Sequence, residues 1–245
     1  MRVLAVGRSP EAGDGGDEAA EQRRKQQWLE SVQESEDGVP EAAGAPAAGS
    51  LDERLQALFD EGRRIFGSFE SEVRRHTFHT FVPGDYECVL SALRQVRRGS
   101  QRFLELGSGT GVITIAADLL GYEACGIEID AELVEVARHL AARYGSAARF
   151  ATGSFLPAGY EWKAADGDAR LGTIGLAAPA YAELGHLLAD FDVVYGYPWY
   201  GEEAILHDLM ARRGRDGARL LVHGGAGGVT VYCHGQPEAP PAGGR

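Results

Sequence analysis

Lysine is almost missing from this 245-residue chain, which carries only Lys25 and Lys163 among its 24 basic residues. Arginine supplies the other positive charges, a bias that suggests a GC-rich genome more than a mechanism. Against 36 acidic residues the net charge is −12. A broad nucleic-acid surface needs a basic stripe, so that class of partner is not expected. Arg212, Arg213 and Arg215 leave room for a small local patch, with a solvated helix end as the plainer reading. Cysteine is scarce as well. Cys88, Cys125 and Cys233 are odd in number and far apart, which gives neither a disulfide framework nor a metal spacing and fits a reducing compartment. Long apolar runs are lacking too, and the opening Met1 to Val6 is too short for a signal peptide. A soluble, cytoplasmic protein without a membrane partner is expected.

The chain does contain one compact constellation. Phe103, Leu104, Glu105 and Leu106 form a short apolar run with one acid, followed by Gly107, Ser108, Gly109, Thr110 and Gly111. A helical stretch comes next, then Gly126-Ile127-Glu128-Ile129-Asp130, a second strand ending in carboxylates. Strand, glycine turn, helix, strand and acid make one half of a nucleotide-binding βαβ unit. Glycine gives the tight turn and lets a ligand lie against bare backbone, and the helix start near Gly111 directs free N–H groups at the same place. A dinucleotide fingerprint would put glycine or alanine where this chain has Val112, and Glu105 would oppose a pyrophosphate. A carboxylate there suits a ligand with an ammonium group. Glu128 has two acceptor oxygens, which suits the vicinal hydroxyls of a ribose. The plainer reading of Glu128 and Asp130 is a solvated strand end and a helix N-cap.

Glu105 to Gly111 resembles motif I of the class I S-adenosylmethionine-dependent methyltransferases, and Glu128 stands where that family places its ribose-binding acid. The resemblance runs over roughly 81–234. It implies S-adenosylmethionine as cofactor, with its methionine portion on Gly107, Ser108, Gly109 and Gly111 and its ammonium near Glu105. Many relatives carry an aspartate for the adenine amino group near Ser154. Here Ser154, beside Phe155, would take that role.

Around this unit the fold is expected to be α/β: a Rossmann-like, doubly wound, mostly parallel sheet of about six strands with helices on both faces. Strands are expected over 102–106, 124–129, 148–152, 191–195, 218–223 and 229–233, with helices over 111–120, 131–144, 179–189 and 203–212. Residues 1–50, rich in Ala, Gly, Glu, Asp and Pro, read as a disordered acidic leader with one weak helix around Trp28. Residues 51–100 read as a helical lid and pre-core segment, 101–235 as the methyltransferase core, and 236–245 as a disordered tail. The lid segment carries amphipathic Leu51, Leu55, Leu58 and Phe59, then a Pro83-Gly84 turn and a helix over 86–97 capped by Asp85. His76 and His79 have no third ligand in sequence, so no metal is expected. Residues 158–177, with Trp162, read as a loop insertion.

In an open α/β sheet ligands lie outside the carboxyl ends of the strands. At the end of strand four stand Tyr197-Pro198-Trp199-Tyr200-Gly201-Glu202-Glu203. Relatives acting on amide or aromatic amine nitrogen carry Asn/Asp-Pro-Pro-Tyr/Phe there, so Tyr197 replaces the polarising group and base methylation is disfavoured. Tyr197, Pro198 and Trp199 are expected to line a substrate pocket for a cationic or apolar acceptor, a protein side chain or small molecule rather than nucleic acid. Glu202, Glu203 and Tyr197 are candidate bases that the sequence does not separate. Two rivals stay open: a nicotinamide-dependent oxidoreductase, and a catalytically silent module of the same fold.

Overall fold

The computed structural model describes residues 15–37, 49–76, 79–161, 177–199, 201–224 and 228–238. The described residues contain seven strands: β1 (Arg102–Leu106), β2 (Glu123–Glu128), β3 (Arg149–Thr152), β4 (Val193–Gly196), β5 (Arg219–Gly224), β6 (Gly228–Cys233) and β7 (Gln236–Pro237). Their order is β3-β2-β1-β4-β5-β6-β7, parallel from β3 to β5 and antiparallel at β6 and β7. Strand order reverses between β1 and β4, the switch point at which a crevice opens.

The helices are α1 (Gly15–Asp37), α2 (Leu51–Phe69), α3 (Tyr86–Val96), α4 (Val112–Leu119), α5 (Ala131–Arg143), α6 (Tyr181–Leu184) and α7 (Glu203–Arg213). Alternation along the strands assigns the two faces. Phe103, Val193, Tyr195 and Leu221 point to the layer of α1–α5, while Leu104, Val194, Leu220 and Val222 point to that of α6 and α7. Phe103 and Leu104 are both fully enclosed, each side chain contributing about 1.5–3 kcal/mol by leaving water.

Several expectations change. The weak helix expected over 18–34 in the leader spans Gly15–Asp37, and its Trp28 is fully buried. Its indole Nε1–H donates to Ser68 Oγ (2.9 Å) and its ring meets Phe69 edge-on. A single large side chain with a satisfied N–H docks an otherwise polar helix. The sheet has seven strands rather than about six, since Gln236 and Pro237, expected in the tail, pair with Cys233 and Tyr232. The expected helix over 179–189 is only the turn α6 plus a 3-10 turn at Leu188–Asp190, because Gly185 sits at φ +69 and ends the helix. Arg212 and Arg215 pair with Asp208 and Asp192 in exposed ion pairs, the plainer of their two readings. The Trp162 loop, Tyr200, and the remainder of the leader and tail lie outside the described residues. No described helix is long and apolar enough to cross a membrane.

Candidate functional site

The β1–α4 turn is built on three left-handed glycines, Gly107 (φ +77), Gly109 (φ +51) and Gly111 (φ +77). Gly107 and Ser108 donate their N–H groups to Ile127 O (both 2.9 Å), which ties the turn to β2. A Cβ on Gly111 would lie 2.6 Å from the Phe150 ring, so this glycine serves helix–strand packing. A Cβ on Gly109 would lie 2.5 Å from the ring of Phe81, which rests directly on the turn.

Gly111 caps α4 without a side chain, and Glu105 fills that role from the strand below. Its Oε2 accepts from Thr114 N (2.9 Å) and Thr114 Oγ1 (2.5 Å). Burial lifts the Glu105 carboxyl to about 8; the Thr114 hydrogen bonds pull it down, Glu128 pushes it up, and no basic group contributes. Enclosed negative charge without a counter-ion is costly. An ammonium would complete this site.

Glu128 closes the other side. Its Oε2 accepts from Gly109 N (2.9 Å), and its Oε1 accepts from Ile129 N (2.7 Å) and Asp130 N (3.0 Å). Burial raises its carboxyl despite these three donors. Three N–H groups leave about one of four lone-pair sites for a hydroxyl.

At the switch point lies a cavity of about 270 Å³, lined by Gly107, Glu128, Ser154, Phe155 and the Tyr197-Pro198-Trp199 segment, with His79 to Val82 as its cover. A second, smaller cavity of about 40 Å³ holds Glu105, Ser108 and Gly109, with Tyr86 and Tyr195 opposite. Gly107, Phe81, Val82 and Tyr197 line both, so the two meet there. Ser154 Oγ accepts the Leu156 N–H (3.1 Å), which leaves its own O–H to donate. Gly111 lines neither cavity and shapes the turn from behind.

Of the candidate bases, Tyr197 lines both of these cavities. Glu202 is 1% exposed and its Oε2 accepts from Trp199 N (3.0 Å), fastening the turn into α7. Glu203 accepts from the Tyr232 hydroxyl (3.2 Å), on the β6 side. The Tyr197 ring packs on His223 (centroids 4.3 Å apart), whose Nε2 accepts the Asp85 N–H (3.1 Å). Burial lowers the pKa of His223 and keeps its ring neutral. Sequence reasoning missed His223, although its place at the carboxyl end of strand five was a usable signal. It also gave Asp130 a capping role alone. Asp130 does cap α5, with Oδ1 accepting from Glu132 N and Leu133 N (3.0 and 3.3 Å), but its Oδ2 binds Lys25 (2.6 Å) and His79 (2.9 Å). Among the described residues no cluster could hold a metal.

Comparison with known proteins finds the following likenesses. Residues 86–161 match the family model for ribosomal protein L11 methyltransferase (PrmA). A curated ribosomal protein L11 methyltransferase of Thermus thermophilus is 41% identical over 77 residues, which are 30% of this chain and 30% of that relative. Among solved structures, an RNA methyltransferase from Salinibacter ruber in complex with S-adenosyl-L-homocysteine is 22% identical. That match covers 58% of this chain and 76% of that one, with a TM-score of 0.41. A precorrin-6y C5,15-methyltransferase from Geobacter metallireducens is 17% identical, with a TM-score of 0.37, over 56% of this chain and 59% of that one. The chain thus spans under a third of the curated relative it matches, and the matched residues contain the glycine turn and Glu128.

Proposed function

We propose that this chain transfers a methyl group from S-adenosylmethionine to a protein side chain or small-molecule acceptor. One observation carries the reading: a single crevice gathers the glycine turn, Glu128, Ser154 and the Tyr197–Trp199 segment, with the uncompensated Glu105 carboxyl at its inner end.

Each part of the crevice has a matching task. Glu105 would hold an ammonium, which supplies the counter-charge it lacks. The bare backbone of Gly107 and Gly109 would lie along the methionine chain. Glu128 would offer its remaining acceptor capacity to a ribose hydroxyl, held in place by Gly109 N–H. Ser154 would donate to the adenine edge, with Phe155 as apolar wall. When bound, S-adenosylmethionine supplies a methyl group already activated by the sulfonium. The protein's contribution is then alignment and the exclusion of water. Tyr197 stands where the two cavities meet and is fixed from behind by His223. Its ring and those of Trp199 and Phe81 would form an aromatic wall for the acceptor.

A nicotinamide dinucleotide fits less well, because Val112 stands where a dinucleotide turn carries glycine or alanine. Calorimetry with S-adenosylhomocysteine tests the reading. Sub-millimolar binding is expected in the wild type and strong weakening in Glu128→Ala. Absence of binding at millimolar ligand removes the cofactor, and the function with it. Radiolabelled methyl transfer into a cell extract, fractionated by chemical class, tests the acceptor. Label in protein or small molecules is expected, and label confined to nucleic acid refutes that part.

A further inference from the structure

The N-terminal helix α1 lies outside the βαβ unit, yet it places one of the chain's two lysines against the cofactor crevice. Trp28 anchors the helix, and Lys25, one turn earlier on the same face, reaches Asp130 Oδ2 at 2.6 Å. Both side chains are enclosed, at 12% and 7% exposure. Asp130 is also the far end of a closed circuit. Its Oδ2 accepts from His79 Nε2 (2.9 Å), and His79 Nδ1 accepts the Phe81 N–H (3.0 Å). The Phe81 ring covers Gly109, whose N–H donates to Glu128 Oε2. Glu128 Oε1 accepts the Asp130 N–H, which closes the ring of contacts around the crevice.

One carboxylate therefore fixes both the ribose-side acid and the aromatic cover. Capping α5 uses only its Oδ1. Without a cation the other oxygen would be an enclosed charge opposed by Glu21, Glu128 and Glu132, which line the same recess. His79, as the donor to Asp130 and acceptor from Phe81, takes a defined tautomer only while Asp130 stays in place.

We propose that Lys25 is a positioning residue of the cofactor site, acting through Asp130 to hold Glu128 and the His79–Phe81 cover in register over the glycine turn. Its role toward the cofactor rests on the methyltransferase reading; its role in ordering the crevice does not.

Hydrogen exchange of the ligand-free protein separates the two. Peptides covering Phe81 and Gly109 should exchange about tenfold faster in Lys25→Met than in the wild type. In Lys25→Arg they should stay within about twofold, since the charge is kept. Lys25→Met should add nothing in an Asp130→Asn background, because its target charge is already gone. Unchanged exchange in Lys25→Met overturns the proposal, and so does an equal effect with and without Asp130. If Lys25→Met alone does not fold, Lys25→Met/Asp130→Asn is compared with Asp130→Asn, and extra loosening there overturns it. The second readout is ligand affinity. Lys25→Met should weaken S-adenosylhomocysteine about tenfold and raise KM for the methyl donor, with kcat at saturation within about twofold. A wild type that binds no S-adenosylhomocysteine refutes the methyltransferase reading and leaves the exchange comparison standing.

Discussion

Replacing Glu105 by glutamine should make the empty protein more stable and the ligand weaker, in a pH-dependent way. The carboxyl sits near 4.5 when exposed and is lifted to about 8 in the fold. Below pH 4.5 it is protonated in both folded and unfolded chains and contributes nothing. Between pH 4.5 and 8 the unfolded chain gives up this proton while the folded chain keeps it, so stability falls as pH rises. Above pH 8 the folded chain carries the ionised group at a cost of about 5 kcal/mol. Glutamine does not titrate, and its carbonyl still accepts from Thr114. The stability advantage of Glu105→Gln should therefore be near zero at pH 4.5 and grow to about 2–5 kcal/mol at pH 8.5. Denaturant melts of both proteins across that range measure it.

The same group predicts a proton balance for binding. An ammonium beside Glu105 stabilises its ionised form, so a carboxyl near 8 should release about 0.9 proton per ligand at pH 7. Titration of S-adenosylhomocysteine in buffers of different ionisation heat reads that number directly. In Glu105→Gln the release should vanish and affinity should drop. A pH-independent stability difference, or no proton release from the wild type, would refute the account of Glu105 as a carboxyl awaiting a cation.

Gly109→Val puts a branched side chain at φ +51 and within 2.5 Å of the Phe81 ring; stability should fall by about 2–4 kcal/mol, with loss of S-adenosylhomocysteine binding by calorimetry. Glu128→Gln retains the shape but turns one acceptor oxygen into an NH2, so at least one of the three backbone N–H groups loses its acceptor, and the ligand should bind about tenfold to a hundredfold more weakly. Trp28→Ala removes the buried anchor of α1 and should destabilise by about 3–5 kcal/mol in denaturant melts, with faster hydrogen exchange confined first to that helix. His223→Phe keeps a ring under Tyr197 while removing the acceptor for Asp85 N–H; it should cost about 1–3 kcal/mol and leave cofactor affinity unchanged.

The alternating strands, the glycine turn and Asp130 as a cap were legible because each follows from local rules. A short apolar run, Phe103-Leu104-Glu105-Leu106, reads as a central strand buried on both faces, and left-handed turns demand Gly107, Gly109 and Gly111. What escaped was long-range. Trp28 in a polar helix has a low local signal, and only Phe69 and Ser68, some forty residues on, explain its burial. Lys25 and Asp130 are 105 residues apart in sequence, and no spacing rule joins them. The two-residue strand β7 depends on the Cys233–Gln236 pairing rather than on its own propensity. Glu105 stands beside the turn, and its dominant neighbour, Thr114, is a helix position that the motif does not mark.

Glu105 also bears on the choice between an active site and a silent relic of one. Above pH 8 the cost of about 5 kcal/mol is a third or more of the 5–15 kcal/mol that holds a typical domain together. A module serving only protein contact would be stabilised by Glu105→Gln, which removes the ionisable group and keeps an acceptor for Thr114. Ligand binding offsets such a cost by RT ln(1 + [L]/Kd), so full compensation needs ligand at several thousand times Kd, or about 4 kcal/mol from a thousandfold excess. The arrangement is therefore stable to the extent that a cationic ligand is held tightly and most of the time. A chain without that ligand should prefer Glu105→Gln at neutral pH, and the melt comparison above decides between the two conditions on one pair of proteins.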